Sequence, residues 1–233
     1  MSTISFFNLS LSFLPLLFIW YFYYKWTKDK SDIIIASIRM IIQLIAIGYL
    51  LVFIFKSNDI TVGIFIVFFM IVVSSWITLR NTLDKSFKHY FQILSAVALA
   101  GLINLFLIVV FVLELEKLYE PRYVIPLAGM VFANTMNALS LAVERFEKEI
   151  ERSSFEEARQ IAFKACMIPQ INSLLAVGLV ALPGMMTGQI LSGIDPLIAV
   201  RYQIMIMAMT LSSAGLSAIV YFLLKGKLLK REF

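Results

Sequence analysis

IIIASIRMIIQLIAIGYLLVFIF, Ile33 to Phe55, runs for 23 residues with one charge, Arg39, near its start. As a helix at 1.5 Å per residue it is about 34 Å long, enough to cross a hydrocarbon core of about 30 Å. It is apolar all round, so its surroundings must be apolar too. Six further stretches have similar length and few or no internal charges: Ile4 to Tyr24, Ile60 to Leu79, Phe91 to Leu113, Tyr123 to Val143, Met167 to Leu191 and Tyr202 to Leu224. Composition agrees, with 61% hydrophobic and 15% charged residues and a mean hydropathy of +0.89, more apolar material than a soluble domain of this size can bury. The expected fold is therefore all-α, a polytopic membrane helix bundle of about seven transmembrane helices, with residues 1–233 as one membrane domain.

The first 24 residues carry no charged side chain, so the start lacks the basic region of a secretory signal and reads as a retained span. Orientation follows from the loops. Lys25 to Asp32, Arg80 to His89, Glu144 to Lys164 and the tail from Lys225 hold 3, 3, 5 and 4 Lys or Arg residues, 15 together. The opposite loops, Lys56 to Asp59, Glu114 to Arg122 and Asp195 to Arg201, hold 1, 2 and 1, together 4. The positive-inside rule then places the amino terminus outside and the carboxyl terminus in the cytoplasm. The net charge of +5 is spread over short loops, which suits topology and membrane lipids as partners, and no nucleic acid. Trp20, Tyr24, Trp26, Trp76, Tyr90 and Tyr202 lie near span ends, where headgroup-level aromatics anchor helices.

The longest polar segment, Glu144 to Lys164, mixes 5 basic with 6 acidic residues and contains no Gly or Pro, so it should be helical. Ser153 and Ser154 interrupt it, each with a glutamate three residues on, the pattern that starts a new helix. Phe155, Ala158, Ile161, Ala162, Ala165 and Cys166 then form one apolar stripe. The stripe fits a helix lying on the membrane surface or a docking element for a soluble partner.

Catalytic constellations are lacking. The single histidine, His89, falls in a short basic loop, and no glycine begins a GxxxxGK[ST] phosphate cradle. The chain reads as a transport subunit without its own ATPase site and with no cofactor of its own. Cys166 is the one cysteine, which excludes an internal disulfide and a Cys-based metal cluster. Interest falls instead on the sixth span. ALPGMMTGQILSG, Ala181 to Gly193, sets Pro183 and Gly184 inside a long uncharged run, and proline removes a backbone donor while clashing with the preceding turn. Carbonyls freed at that depth must be buried in protein or face water, so the break marks a pathway candidate, against the alternative of a packing kink.

Polar residues within other spans add to it. Asn134, Asn137 and Ser140 recur every three residues in the fifth span, and Arg39 and Gln43 lie four apart in the second. They suit a pathway, or interhelical hydrogen bonds for the asparagines and snorkelling for Arg39. Met130, Met136, Met185, Met186, Met205, Met207 and Met209 gather in the last three spans, where thioethers either fill the core or offer soft ligands of the kind Cu(I) prefers. No carboxylate falls inside a predicted apolar core.

Read together, RMIIQLIAIGYLL at Arg39 to Leu51, IPLAGMVFANTMNALSLAVER at Ile125 to Arg145 and ALPGMMTGQILSGIDPLIAVRYQIMIM at Ala181 to Met207 resemble the FetB-type permeases of iron-export ABC transporters. That family includes plant proteins linked to aluminium tolerance. The resemblance implies a multi-pass permease in the cell membrane that pairs with a separate cytoplasmic ATPase, uses the ATP bound there, and exports iron. It also implies a homodimer, for which Gly184 to Gly188 and Ser213, Ala214, Gly215 and Ser217 offer small-residue contact faces. Residues 144–166 then read as the cytoplasmic coupling segment. Phe155, Glu156, Glu157, Ala158 and Arg159 are loosely similar to the ATPase-docking element of importers, although the glycine expected a few residues on is absent. The pathway candidates under this reading are Asn134, Asn137, Pro183, Gly184, Met185, Met186, Thr187 and Gln189, with Arg39 and Gln43. Two other classes remain open at this point: a secondary transporter driven by an ion gradient, and a non-transporting membrane scaffold.

Overall fold

A computed structural model describes residues 4–55, 59–115, 117 and 119–229. Lys56, Lys230 and Arg231, counted above, lie outside them. The chain divides into two compact units, the first ending at Lys56 and the second beginning at Ser57. In the first, α1 (Phe6–Leu11) and α2 (Leu14–Thr27) are separated by a turn, and α3 spans Asp32–Ile54. Ser5 caps α1, and α2 ends where Lys28 adopts a left-handed conformation. Arg39 is half-buried and Gln43 exposed on α3.

The second unit holds α4 (Ile60–Arg80), α5 (Phe87–Phe106), α6 (Pro121–Glu149), α7 (Phe155–Ala176), α8 (Gly184–Leu191) and α9 (Pro196–Leu229). Helix α5 continues through a wider π-helical turn, Leu107–Val112, whose last bond runs from the Leu113 N–H to the Ile108 carbonyl. Helix α9 packs against α5, α6, α7 and α8, and α6 also against α4, α5 and α7. The core is apolar and centred on α6: Leu127, Ala128, Val131, Leu139, Ala142 and Val143 are buried against residues such as Ile93, Val97 and Ile206. Two glycines permit close approach. A Cβ on Gly63 would lie 2.1 Å from the Tyr119 ring, and one on Gly101 would lie 2.3 Å from the Phe132 ring.

Six helical stretches among the described residues are long and apolar enough to cross a membrane: Phe6–Thr27, Asp32–Val52, Ile60–Arg80, Phe87–Val112, Pro121–Glu149 and Pro196–Lys227. The protein is thus a multi-pass helical membrane protein. The remaining expected span, Met167 to Leu191, is divided between α7 and α8 instead of kinking as one helix. Helix α7 stops at Ala176, Val177 is extended, and Gly178 takes φ +80°, a conformation that L side chains resist. The N–H groups of Leu179, Val180 and Ala181 converge on the Ala176 carbonyl, and the Gly178 N–H donates to Ala181. Pro183 then stands extended as the cap of α8.

The polar segment is a helical hairpin, and Ser154 begins α7 as its sequence indicates. The Ser154 hydroxyl accepts from the Glu157 N–H at 3.3 Å, and the Glu157 carboxylate accepts from the Ser154 N–H at 3.2 Å. The reading of Phe155 to Lys164 as a surface helix needs correction, because α7 runs unbroken from this cap to Ala176. Half of its stripe is covered by its own chain: Ala158, Ala162 and Cys166 are wholly buried among residues of α6 and α9, while Ile161 is exposed.

Candidate functional site

Three places in the second unit carry the polar and irregular features that a transport function needs. The first is the break. A groove of about 530 Å³ lies beside it, walled by Leu174, Val177, Met186, Ile204 and Met207. Gln203 of α9 lines it while only 6% exposed, and its amide oxygen has no hydrogen-bond partner. Sequence reading missed Gln203. It sits two residues beyond Arg201, close to the expected helix end, where an amide draws no notice.

The candidate pathway residues divide by role. Asn134 donates its amide N–H to the Thr210 carbonyl, tying α6 to α9, and the Thr187 hydroxyl donates to the Pro183 carbonyl at 3.0 Å, closing the first turn of α8. Met185 packs against the core, whereas Met186 faces the groove. Asn137 is exposed, and the half-buried Gln189 has an amide oxygen without a partner. Asn134 and Asn137 are therefore not one bonded row: the first is committed to α9 and the second is free. Arg39 and Gln43 belong to the other unit.

The second place is the α6–α7 hairpin. Phe146 stacks edge-on against Phe155 with ring centroids 5.4 Å apart, and lies at the same distance from Phe222 of α9. The Arg159 guanidinium covers the Phe155 ring at 5.7 Å, a cation–π contact. Glu156, Glu157, Arg159 and Gln160 are exposed, and with Phe163, Phe222 and Leu223 they border a cleft of about 770 Å³ between α7 and the end of α9. Arg145–Glu149 and Lys148–Glu144 pairs run along α6 beside it.

The third is His89, and here the sequence reading is corrected. His89 is not a loop residue: it lies in the first turn of α5, whose cap is Ser86, and is 1% exposed. Its Nδ1 is 2.8 Å from the Asp84 carbonyl and its Nε2 3.0 Å from the Tyr221 hydroxyl. A carbonyl only accepts, so Nδ1 carries the proton and Nε2 accepts from Tyr221. Glu147 of α6 accepts from the Leu83 N–H at 2.6 Å and from the Asp84 N–H at 3.3 Å. The Lys85 ammonium donates to the Leu79 and Arg80 carbonyls at the end of α4. The α4–α5 loop is thereby fastened to α6 and α9 beside the hairpin. Burial works against ionisation of Asp84, but hydrogen bonds from Ser86 and the charge of Lys225 outweigh it, holding the carboxyl below its usual range.

Among the described residues, no group of three or more His, Cys, Asp or Glu side chains could hold a metal ion. The small-residue face Ser213, Ala214, Gly215 and Ser217 is also corrected as a subunit contact. All four are buried inside the chain, with Met167 lying against Gly215. Gly184 and Gly188 are open, with no atom within 4 Å of where a Cβ would stand.

Residues 6–229 match the family described as "Uncharacterised protein family (UPF0014)". A cyanobacterial relative from Synechocystis, "UPF0014 membrane protein slr1647", is 34% identical over 80% of each chain. "Probable iron export permease protein FetB" of Escherichia coli is 33% identical over 82% of this chain and 78% of that one. "Protein ALUMINUM SENSITIVE 3" of Arabidopsis thaliana is 27% identical over 82% and 74%. No solved structure matches the chain. A match over nearly its whole length, with helices long enough to cross a bilayer six times, makes this chain a member of the UPF0014 family of multi-pass membrane proteins.

Proposed function

We propose that this protein is the membrane permease of an ABC-type exporter that moves iron out of the cytoplasm on energy from a separate ATPase subunit. The observation that carries the reading is the similarity, over most of both chains, to a relative whose name is that of an iron export permease. The hairpin supports it. Glu156, Glu157, Arg159 and Gln160 face outward at the basic, cytoplasmic end of the bundle, on a helix that leads directly to the break. These residues and Phe155 are the ATPase contact in this reading. Asn137 and Gln189 are the amides still free to line the path. Since amide oxygens and thioethers are poor ligands for iron as a bare ion, iron crosses with its waters or in a small chelate.

Reconstitution with a candidate ABC ATPase subunit, followed by ATP hydrolysis and metal efflux from vesicles, tests the assignment. Iron efflux that needs ATP is expected, with Glu157→Arg abolishing it and Asn137→Leu reducing it while ATPase binding persists. If no ATPase co-purifies and Glu157→Arg leaves efflux intact, the reading is wrong.

A further inference from the structure

The first unit carries an apolar groove with a cation at its end. Phe18, Ile19, Phe22, Tyr23 and Trp26 of α2 line a groove of about 370 Å³ that has no polar atom in its walls. They follow one another at steps of one or three, so they share one face of the helix, and from Phe18 to Trp26 that face runs for about 12 Å. Phe18 and Phe22 pack with ring centroids 4.8 Å apart, and Phe22 and Trp26 at 5.3 Å. Phe18 and Trp26 are nevertheless 68% and 76% exposed.

Lys25, three positions from Phe22, holds its ammonium 6.0 Å from the centre of that ring, on the side of the groove that meets the basic turn. Lys28, which ends α2 in a left-handed conformation, and Lys30 are exposed in the same turn. The turn is fixed without the ammonium groups of Lys25 and Lys28. Trp20 Nε1 donates to the Lys30 carbonyl at 3.0 Å, and the Asp29 carboxylate accepts from the Ser31 N–H at 2.7 Å and from its hydroxyl at 2.9 Å. Asp32 lies in the first turn of α3, where the helix dipole favours a negative charge. Three lysines against two aspartates leave the turn positive.

Walls without hydrogen-bonding groups suit an acyl chain, and ammonium groups at the mouth suit a phosphate. These are the two ends of one phospholipid, and a positive turn favours an anionic one. Other apolar outer faces lack the second half. Leu102, Ile103 and Phe106 of α5 are exposed, but no Lys or Arg lies within ten positions of them.

We infer that α2 is a binding site for one anionic phospholipid, its chain along Phe18, Phe22 and Trp26 and its phosphate on Lys25 and Lys28. This site belongs to the first unit alone and does not depend on an ATPase or on the cargo.

Full-length protein in phosphatidylcholine vesicles, titrated with phosphatidylglycerol or phosphatidylcholine brominated in the acyl chains, tests it. The signal is Trp26 fluorescence, taken as wild type less Trp26→Phe, which leaves the Trp20 bond in place. The brominated anionic lipid should reach half-quenching at a mole fraction lower by about fivefold or more than its zwitterionic counterpart, the effect of one lysine at an anionic surface. Lys25→Gln with Lys28→Gln should bring the two lipids level. Lys227→Gln, which removes an exposed charge from the end of α9, should leave the preference intact. Equal quenching of the wild type by the two lipids overturns the inference, and so does a preference that survives the double lysine variant. Protection of Trp26 from both lipids overturns it as well, since the groove is then closed by protein.

Discussion

Tyr221→Phe removes one oxygen atom and isolates what the His89 cluster contributes. Tyr221 is completely buried, and its hydroxyl is the partner of His89 Nε2 in a site where the imidazole is 1% exposed. The ring and its packing against Phe222 remain, so cavity formation is minor. What changes is that a buried acceptor loses its donor, at a cost of about 1–3 kcal/mol. For a chain of this size each kcal/mol displaces the midpoint by about 2–4 °C, so melting in detergent should fall by about 2–12 °C. Tyr90→Phe is the matched control. That hydroxyl reaches the Val72 carbonyl at a long 3.4 Å and is only half-buried, so its loss should cost about 0.5 kcal/mol or less. Melting followed by intrinsic fluorescence for both variants decides the matter. Equal shifts, or no shift for Tyr221→Phe, would show that the imidazole does not depend on this bond.

Two further outcomes follow from the packing and the loop charges. Gly63→Ala, whose Cβ would meet the Tyr119 ring at 2.1 Å, should destabilise by about 1–3 kcal/mol, whereas Gly129→Ala, with nothing within 4 Å, should be neutral or gain helix propensity. Melting temperatures that fall equally would contradict the close packing of α4. Asp84 has a depressed folded-state pKa, so its contribution is present above the unfolded carboxylate value of about 4 and lost as pH falls through the lower folded value. Melting midpoints measured from pH 7 to pH 3 should accordingly fall further for the wild type than for Asp84→Asn.

The spans were legible because their length and all-round apolarity leave only the bilayer as a solvent. The break was legible too, since Pro183 announces a missing donor. Its other half was not. Gly178, five residues earlier, turns the chain through positive φ, and a lone glycine in an apolar run carries no mark of that. Small residues were equally mute about direction. Gly184 and Gly188 face open space while Ser213, Ala214, Gly215 and Ser217 face the chain's own interior, and nothing in composition separates the two. His89 escaped notice for a different reason. Its Ser86 cap is local, but its burial depends on Tyr221, 132 positions away, and no local pattern encodes that pairing.

The length of α7 gives the proposed coupling a mechanical form. From the Ser154 cap to Ala176 it is one helix of 22 residues, about 33 Å, held over its first half by buried Ala158, Ala162 and Cys166. Pro169 lies within it without interrupting it. A push delivered at Glu157 therefore cannot dissipate in a flexible joint near the membrane surface. The fastening of the α4–α5 loop through Glu147 and His89 denies it that escape on the neighbouring helices as well. Pro169 withholds one donor from the ladder without ending the helix, and the ladder itself ends after Val177, whose N–H still donates to Ser173, where Gly178 turns through positive φ. Motion entering at the hairpin is thus expressed at the turn that carries Leu179 and Val180 and walls the groove beneath Gln203. The same rigidity that makes α7 a poor surface anchor makes it an effective rod between an ATPase contact and the break.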